Sequence, residues 1–170
     1  MEDDRLKIKI VVIGDGGVGK SSFCQKILMG QNYNPNNDEN LYKPTIASDF
    51  FTRVLQLQNQ KHVQLNFWDL SGHPEFYQQR LRFYGGTHIL IYMYDLSFKD
   101  SFENLNEWHR EYITEMNSHP IHTYIIGNKV ERQRDRFLEQ FEIDNFCKNK
   151  GIKAHFSTSV YESKQIKELQ

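Results

Sequence analysis

LKIKIVVI at positions 6–13 runs directly into GDGGVGKS at 14–21, and that junction decides how the chain folds. The first segment begins by alternating and ends as an unbroken apolar run, the pattern of a strand entering a buried centre. The second matches G-x-x-x-x-G-K-[ST] at every fixed position. Side chains at Gly14, Gly16, Gly17 and Gly19 would obstruct a backbone that wraps around phosphates. With them absent, the amides of Asp15, Gly16, Gly17, Val18 and Gly19 can point inward, and a helix from Lys20 to about Met29 adds its positive N-terminal end. Lys20 would reach β- and γ-phosphate oxygens, the Ser21 hydroxyl would ligate Mg²⁺, and Ser22 extends the loop into the helix. A plain glycine-rich turn is the bland alternative. The placement between a buried strand and a helix opposes it, because phosphate binding requires that setting.

Outward from this loop, strands and helices alternate. Residues 30–43 hold five Asn and one Pro without periodicity and read as a loop. Residues 50–57 and 62–68 both alternate around Gln58-Asn59-Gln60-Lys61, the pattern of an antiparallel hairpin with Val63, Leu65 and Phe67 on one face. A second loop at 69–75 precedes an aromatic helical stretch at 76–84. Ile89–Tyr94 reads as a buried strand. Asp100 and Glu103 have capping-box spacing ahead of Phe102, Leu105, Trp108 and Tyr112. Short strands at 123–126 and 152–156 flank a helix at 137–150 stopped by Gly151. The alternation implies an α/β fold, a mainly parallel sheet with helices on both faces, and one domain over 1–170.

Composition narrows the classes further. The chain has 170 residues, 23 of them aromatic, so it can bury a core, and its net charge of −1 offers no bulk attraction to nucleic acid. Only Cys24 and Cys147 are present, which excludes a disulfide scaffold and favours a reducing compartment. No apolar run approaches the ~20 residues of a spanning helix. The acidic start, Met-Glu-Asp-Asp, lacks the features of a signal peptide. These readings lead to the expectation of a soluble cytoplasmic monomer.

Further segments fall in the order found in Ras-superfamily small GTPases, and the chain resembles that family over nearly its whole length. Pro44-Thr45-Ile46 resembles the first switch and Trp68-Asp69-Leu70-Ser71-Gly72 the W-D-x-x-G of the second. Asn128-Lys129-Val130-Glu131 resembles the guanine-reading N-K-x-D, and Thr158-Ser159-Val160 the T-S-A behind the base. G-H-P-x-F-Y-x-x-R at 72–80 is similar to a Rab-like branch in which some members carry a J domain; these residues include none. The resemblance implies a three-layer P-loop NTPase fold with a six-stranded sheet, GTP or GDP with Mg²⁺, and slow GTP hydrolysis. It also implies effector, exchange-factor and GTPase-activating partners at the switches. By the same resemblance Thr45 and the Gly72 amide close on the γ-phosphate, Thr45 also meets Mg²⁺, and Asp69 holds Mg²⁺ through water. Tyr33 would cover the base, with Ser159 and Val160 behind it.

Three positions depart from the family pattern. His73 stands where most members carry the Gln that orients the attacking water, and Pro74 restricts it. A surface histidine without chemistry is an equal reading, and Arg80 or Arg82 would be the substitutes if another side chain does the Gln's work. Glu131 replaces the Asp that pairs with guanine, one methylene longer. Twenty-five positions separate Lys20 from Thr45, more than is usual in Rab-like chains, and the surplus is Asn-rich. Trp68, Phe83 and Tyr84 are expected in the core, with Phe76 and Tyr77 as an exposed aromatic patch. The alternatives are a P-loop phosphotransferase, which would need a basic lid where only Arg132, Arg134 and Arg136 cluster, and a nucleotide-holding scaffold that does not cycle. No prenylation cysteine occurs in the residues shown, so any membrane contact is expected through partners.

Overall fold

The architecture follows from two faces of one central strand. In the computed structural model, which describes residues 5–36, 43–58, 60–117, 122–135 and 138–161, β1 spans Leu6–Ile13. Its Ile10 and Val12 point to one side and its Val11 and Ile13 to the other, all buried. Around it the strands lie in the order β2-β3-β1-β4-β5-β6, with β2 Ser48–Gln56, β3 His62–Leu70, β4 Ile89–Asp95, β5 His122–Asn128 and β6 Ala154–Ser157. Every pairing is parallel except β2 with β3, the hairpin expected from the sequence.

The helices cover both faces. α1 (Lys20–Met29) places Phe23 and Cys24 on Ile10, Val12, Phe67, Met93 and Ile126. The opposite face carries α2 (Tyr77–Leu81), α3 (Lys99–Glu103), α4 (Leu105–Met116) and α5 (Gln140–Lys150). There Leu105, Trp108 and Tyr112 from α4 and Ile143 and Phe146 from α5 pack on Val11, Tyr92, Tyr94 and Ile125. The expected mainly parallel, six-stranded α/β fold is therefore the one observed.

Local readings differ at several ends. The helix expected over 76–84 is a single turn of tighter helix at Pro74–Phe76 followed by the short α2, because Pro74 fits a first helical turn and removes a donor. The capping box expected at Asp100 and Glu103 does not form: Phe98 is the N-cap and Asp100 lies inside the first turn. Ser101 sets that start instead, donating to the Phe98 carbonyl at 2.7 Å and accepting from the Asp95 amide at 2.9 Å. A capping box does occur at Glu139–Glu142, where the Glu139 amide donates to Glu142 at 2.9 Å. Glu is a rare N-cap, so its residue type carries no cue. Trp68 and Phe83 are half-buried rather than core, and the Trp68 ring lies tilted against Phe50 at 4.9 Å and against Phe83 at 5.0 Å. Tyr84 is fully buried as expected, Tyr77 is exposed, and Phe76 is half-buried. Positions 37–42 of the Asn-rich loop, Arg136, Phe137 and the end of the chain from 162 lie outside the described residues.

Ile125 has no exposed surface and sits between α4 and α5. Ile125→Ala should lower unfolding free energy by about 2–5 kcal/mol, measured by urea denaturation at one fixed nucleotide concentration so that ligand linkage does not vary.

Candidate functional site

The strand ends place the site. Val12 of β1 is in register with Asp69 of β3, and Asp95 of β4 with Asn128 of β5, so four segments open onto one edge of the sheet. There a cleft of about 470 Å³ is lined by Gly16, Gly17, Gly19, Lys20, Ser21 and Ser22 from the phosphate loop. Tyr33, Thr45, Gly72, His73, Asn128, Lys129, Glu131 and Val160 are among the other residues of its wall. The candidate residues from six separate segments thus converge.

At the loop, Gly17 and Gly19 have φ of 77° and 98°, conformations that side chains resist. Lys20 is buried, and its Nζ donates to the Gly14 and Asp15 carbonyls, each at 2.7 Å. Burial lowers its pKa to about 8, a shift that Asp69 and Asp15 oppose. A buried ammonium in this position favours an anionic ligand.

Beside it lies an all-oxygen cluster. Ser21 Oγ donates to Asp69 Oδ2 at 2.5 Å and is 3.1 Å from Thr45 Oγ1, which lies 3.4 Å from the same carboxylate oxygen. Burial raises the Asp69 pKa, against the opposing pull of Lys20 and the Ser21 bond. The other oxygen, Asp69 Oδ1, is buried without a partner. Two hydroxyls and one carboxylate with an orphaned oxygen of its own fit Mg²⁺, a hard cation that takes few protein ligands and leaves the rest to water and phosphate.

The far end of the cleft is braced by Asn128 and Lys129. Asn128 Nδ2 donates to the Val18 carbonyl at 2.8 Å, while Asn128 Oδ1 is buried and unpaired. Lys129 adopts φ of 65° and donates to the Gly17 carbonyl at 2.8 Å, and its ammonium pairs with Asp95 at 2.7 Å. A positive φ at a lysine is strained, and strain of this kind gathers at functional sites. Glu131 is exposed at the rim. Tyr33 is 5 % exposed, with Lys26 Nζ 5.6 Å above its ring.

Four expected residues do not line the cleft with their side chains. Val18 packs into the core below α1, Asp69 stands behind Ser21, and Ser159 is buried, accepting from the Tyr161 amide at 3.0 Å. Asp15 turns toward α4, accepting from Asn104 Nδ2 at 2.7 Å and Trp108 Nε1 at 2.8 Å. Those two partners, Asp95, and the Arg80–Glu111 pair went unnoticed in the sequence. The N-K-x-x spacing could have prompted a search for a carboxylate at the end of β4.

The second switch lies on the phosphate loop. A Cβ at Gly72 would stand 2.3 Å from the Gly16 nitrogen and 2.4 Å from the Asp15 carbonyl carbon. His73 is extended (ψ 134°), as its position before Pro74 requires. Its Nε2 is buried without a partner, 3.5 Å from where a Gly16 Cβ would stand. Arg80, a possible substitute for the missing Gln, does not reach the cleft: it is 5 % exposed and bound to Glu111.

The Ras family model matches residues 9–170. Among curated proteins, the chain is 29% identical over 167 residues to "Ras-related protein Rab-7a" of Dictyostelium discoideum, covering 96% of this chain and 79% of that protein. It is 32% identical to "Ras-related protein RABG3b" of Arabidopsis thaliana over 95% of this chain and 79% of that one. To "Ras-related protein Rab7" of Pisum sativum it is 31% identical, over 96% and 79%.

Gly72→Ala should push the second switch off the phosphate loop, since backbone atoms of Gly14, Asp15 and Gly16 leave no room for a methyl. Hydrogen exchange across 72–84 should accelerate while exchange in β1 and β4 stays unchanged. Protection equal to wild type across 72–84 would contradict the close packing.

Proposed function

The chain belongs to the Ras family, it is a Rab-like GTP-binding switch and a GTPase, and from that premise we propose which of its residues carry each part of the work. Family membership brings guanine nucleotide and Mg²⁺ in general. The observation that best supports the assignment is the meeting of Ser21, Thr45 and Asp69 beside buried Lys20 at one end of the cleft.

Lys20 exchanges its two carbonyl acceptors for β- and γ-phosphate oxygens, and the loop amides supply the rest of the anion's hydrogen bonds. Ser21, Thr45 and Asp69 would hold Mg²⁺, which would supply neutralisation of phosphate charge there. Asn128 and Glu131 read the base, Tyr33 and Val160 cover it, and Asn128 and Lys129 tie the base-reading segment to the phosphate loop. Thr45 and the Gly72 amide contact the terminal phosphate, so its loss releases both loops, and partners read that difference. His73 offers the attacking water one ring nitrogen, where an amide would grip water and phosphate together. The single domain, monomeric state and effector surface around Phe50, Trp68 and Phe83 belong to the same proposal. Among the described residues no helix is long and apolar enough to cross a membrane.

Purified protein should carry guanine nucleotide, identified by mass, and Lys20→Ala should abolish binding at micromolar nucleotide. GTP should outcompete ATP several-fold or more, since a lost charge-assisted hydrogen bond costs about 1.5–3 kcal/mol. Equal competition by ATP would refute Glu131 as the base reader, whereas Glu131→Asp should sharpen the preference.

Hydrolysis should be slow, no faster than ~10⁻⁴ s⁻¹ for the isolated protein, because water positioning supplies most of the catalysis available to this reaction. In single-turnover assays His73→Gln should raise the rate. A wild-type rate on the order of 10⁻² s⁻¹ would mean that another side chain orients the water. GTP binding without measurable turnover would favour the non-cycling scaffold.

A further inference from the structure

Behind the second switch lies a charged network that none of the site roles uses. Arg80 is 5 % exposed, and its guanidinium forms a two-bond fork with Glu111, Nε to Oε1 at 2.7 Å and Nη2 to Oε2 at 2.6 Å. Tyr84 Oη donates to Glu111 Oε1 at 2.5 Å, so the carboxylate is saturated from two sides. The remaining arm, Nη1, donates to the backbone carbonyl of His73 at 2.9 Å. The guanidinium plane lies 4.5 Å from the Trp108 ring, whose Nε1 holds Asp15 of the phosphate loop. Asn104, Trp108 and Glu111 follow one another at helical spacing along one face of α4.

We infer that Arg80, locked by Glu111, is a positioning residue for GTP hydrolysis: through the His73 carbonyl it holds the His73 ring against Gly16. This rests on the functional reading above. The geometry supplies each step. The His73 ring carries a buried, unpaired Nε2 at the phosphate loop, where a polar atom without a partner is costly unless a ligand or water meets it. The His73 backbone is extended before Pro74, and its amide has only a 3.3 Å contact to Ser71 Oγ. The carbonyl is therefore its best-anchored atom: it accepts from the Phe76 amide at 3.1 Å within the tight turn, and Arg80 supplies the shorter bond from outside that turn. A buried ion pair whose two partners are each held by several hydrogen bonds is suited to fixing one conformation rather than adding stability. Arg also fills this role as Lys could not. Only a planar fork can hold both carboxylate oxygens and still direct a third N–H at a carbonyl.

The test is a double-mutant cycle in nucleotide-loaded protein. Arg80→Lys and, separately, the isosteric Glu111→Gln are made in the wild-type and His73→Ala backgrounds. Single-turnover GTP hydrolysis, GDP dissociation and the carbon–proton spectrum of the His73 ring are recorded. Arg80→Lys should slow hydrolysis about tenfold when His73 is present and have no effect when it is absent. GDP dissociation should stay within about twofold, and the His73 ring resonance in the GDP-bound protein should shift or broaden. Glu111→Gln should act in the same direction and guards against a folding defect in the first variant. Equal slowing in both backgrounds, no slowing with His73 present, or an unmoved ring resonance would overturn the inference. A wild-type protein that binds GTP but does not turn it over would overturn it as well. Failure to bind guanine nucleotide at all would instead refute the functional reading.

Discussion

The site depends on the parallel pairing of β1 with β3. Seven consecutive residue pairs run from Leu6 with Val63 to Val12 with Asp69. Their register brings the turn that follows Ile13 alongside Asp69. A slip of one residue would turn Asp69 to the other face of the sheet and move the core residues Phe67 and Val63 with it. The same hydrophobic alternation that fills two cores thereby fixes where a carboxylate meets Ser21. Asp69 is tolerated there without full exposure because Ser21, Thr45 and the nearby Lys20 offset much of its burial.

The phosphate loop, the strands and the antiparallel hairpin were legible because their cues are local. Glycines at 14, 16, 17 and 19 report a backbone requirement, and strand periodicity reports a face. The base-reading and switch segments became legible only through resemblance, since Thr45 or Asn128 alone carries no local signature. What stayed hidden was pairing between distant side chains. Nothing near Asp15 announces Asn104 and Trp108, 89 and 93 positions away. Arg80 showed its charge but not its partner, so it passed for a candidate at the reacting phosphate, whereas Glu111 holds it inside the protein. The misplaced capping box has the same origin: a buried serine bonding back to Asp95 outweighed a favourable exposed spacing.

Helix α4 has two duties on one face. Leu105, Trp108 and Tyr112 pack on the sheet, and the N-cap Asn104, the Trp108 Nε1 and Glu111 reach the nucleotide end. Its Asn104 and Trp108 grip the phosphate loop through Asp15, and its Glu111 grips the second switch through Arg80 and Tyr84. Two elements that are separate in sequence thereby share one rigid support, and movement of either is felt by the same helix.

Both tryptophans of the chain lie on this machinery. Trp108 is clamped between Asp15 and the Arg80 guanidinium, and Trp68 is flanked by Phe50 of β2 and by Phe83 near the end of the second-switch segment. No third indole dilutes their emission. Displacing residues 72–84 strips a cation from one indole and an aromatic neighbour from the other, so the protein's own ultraviolet fluorescence is an optical readout of the second switch, with no attached dye and no altered nucleotide.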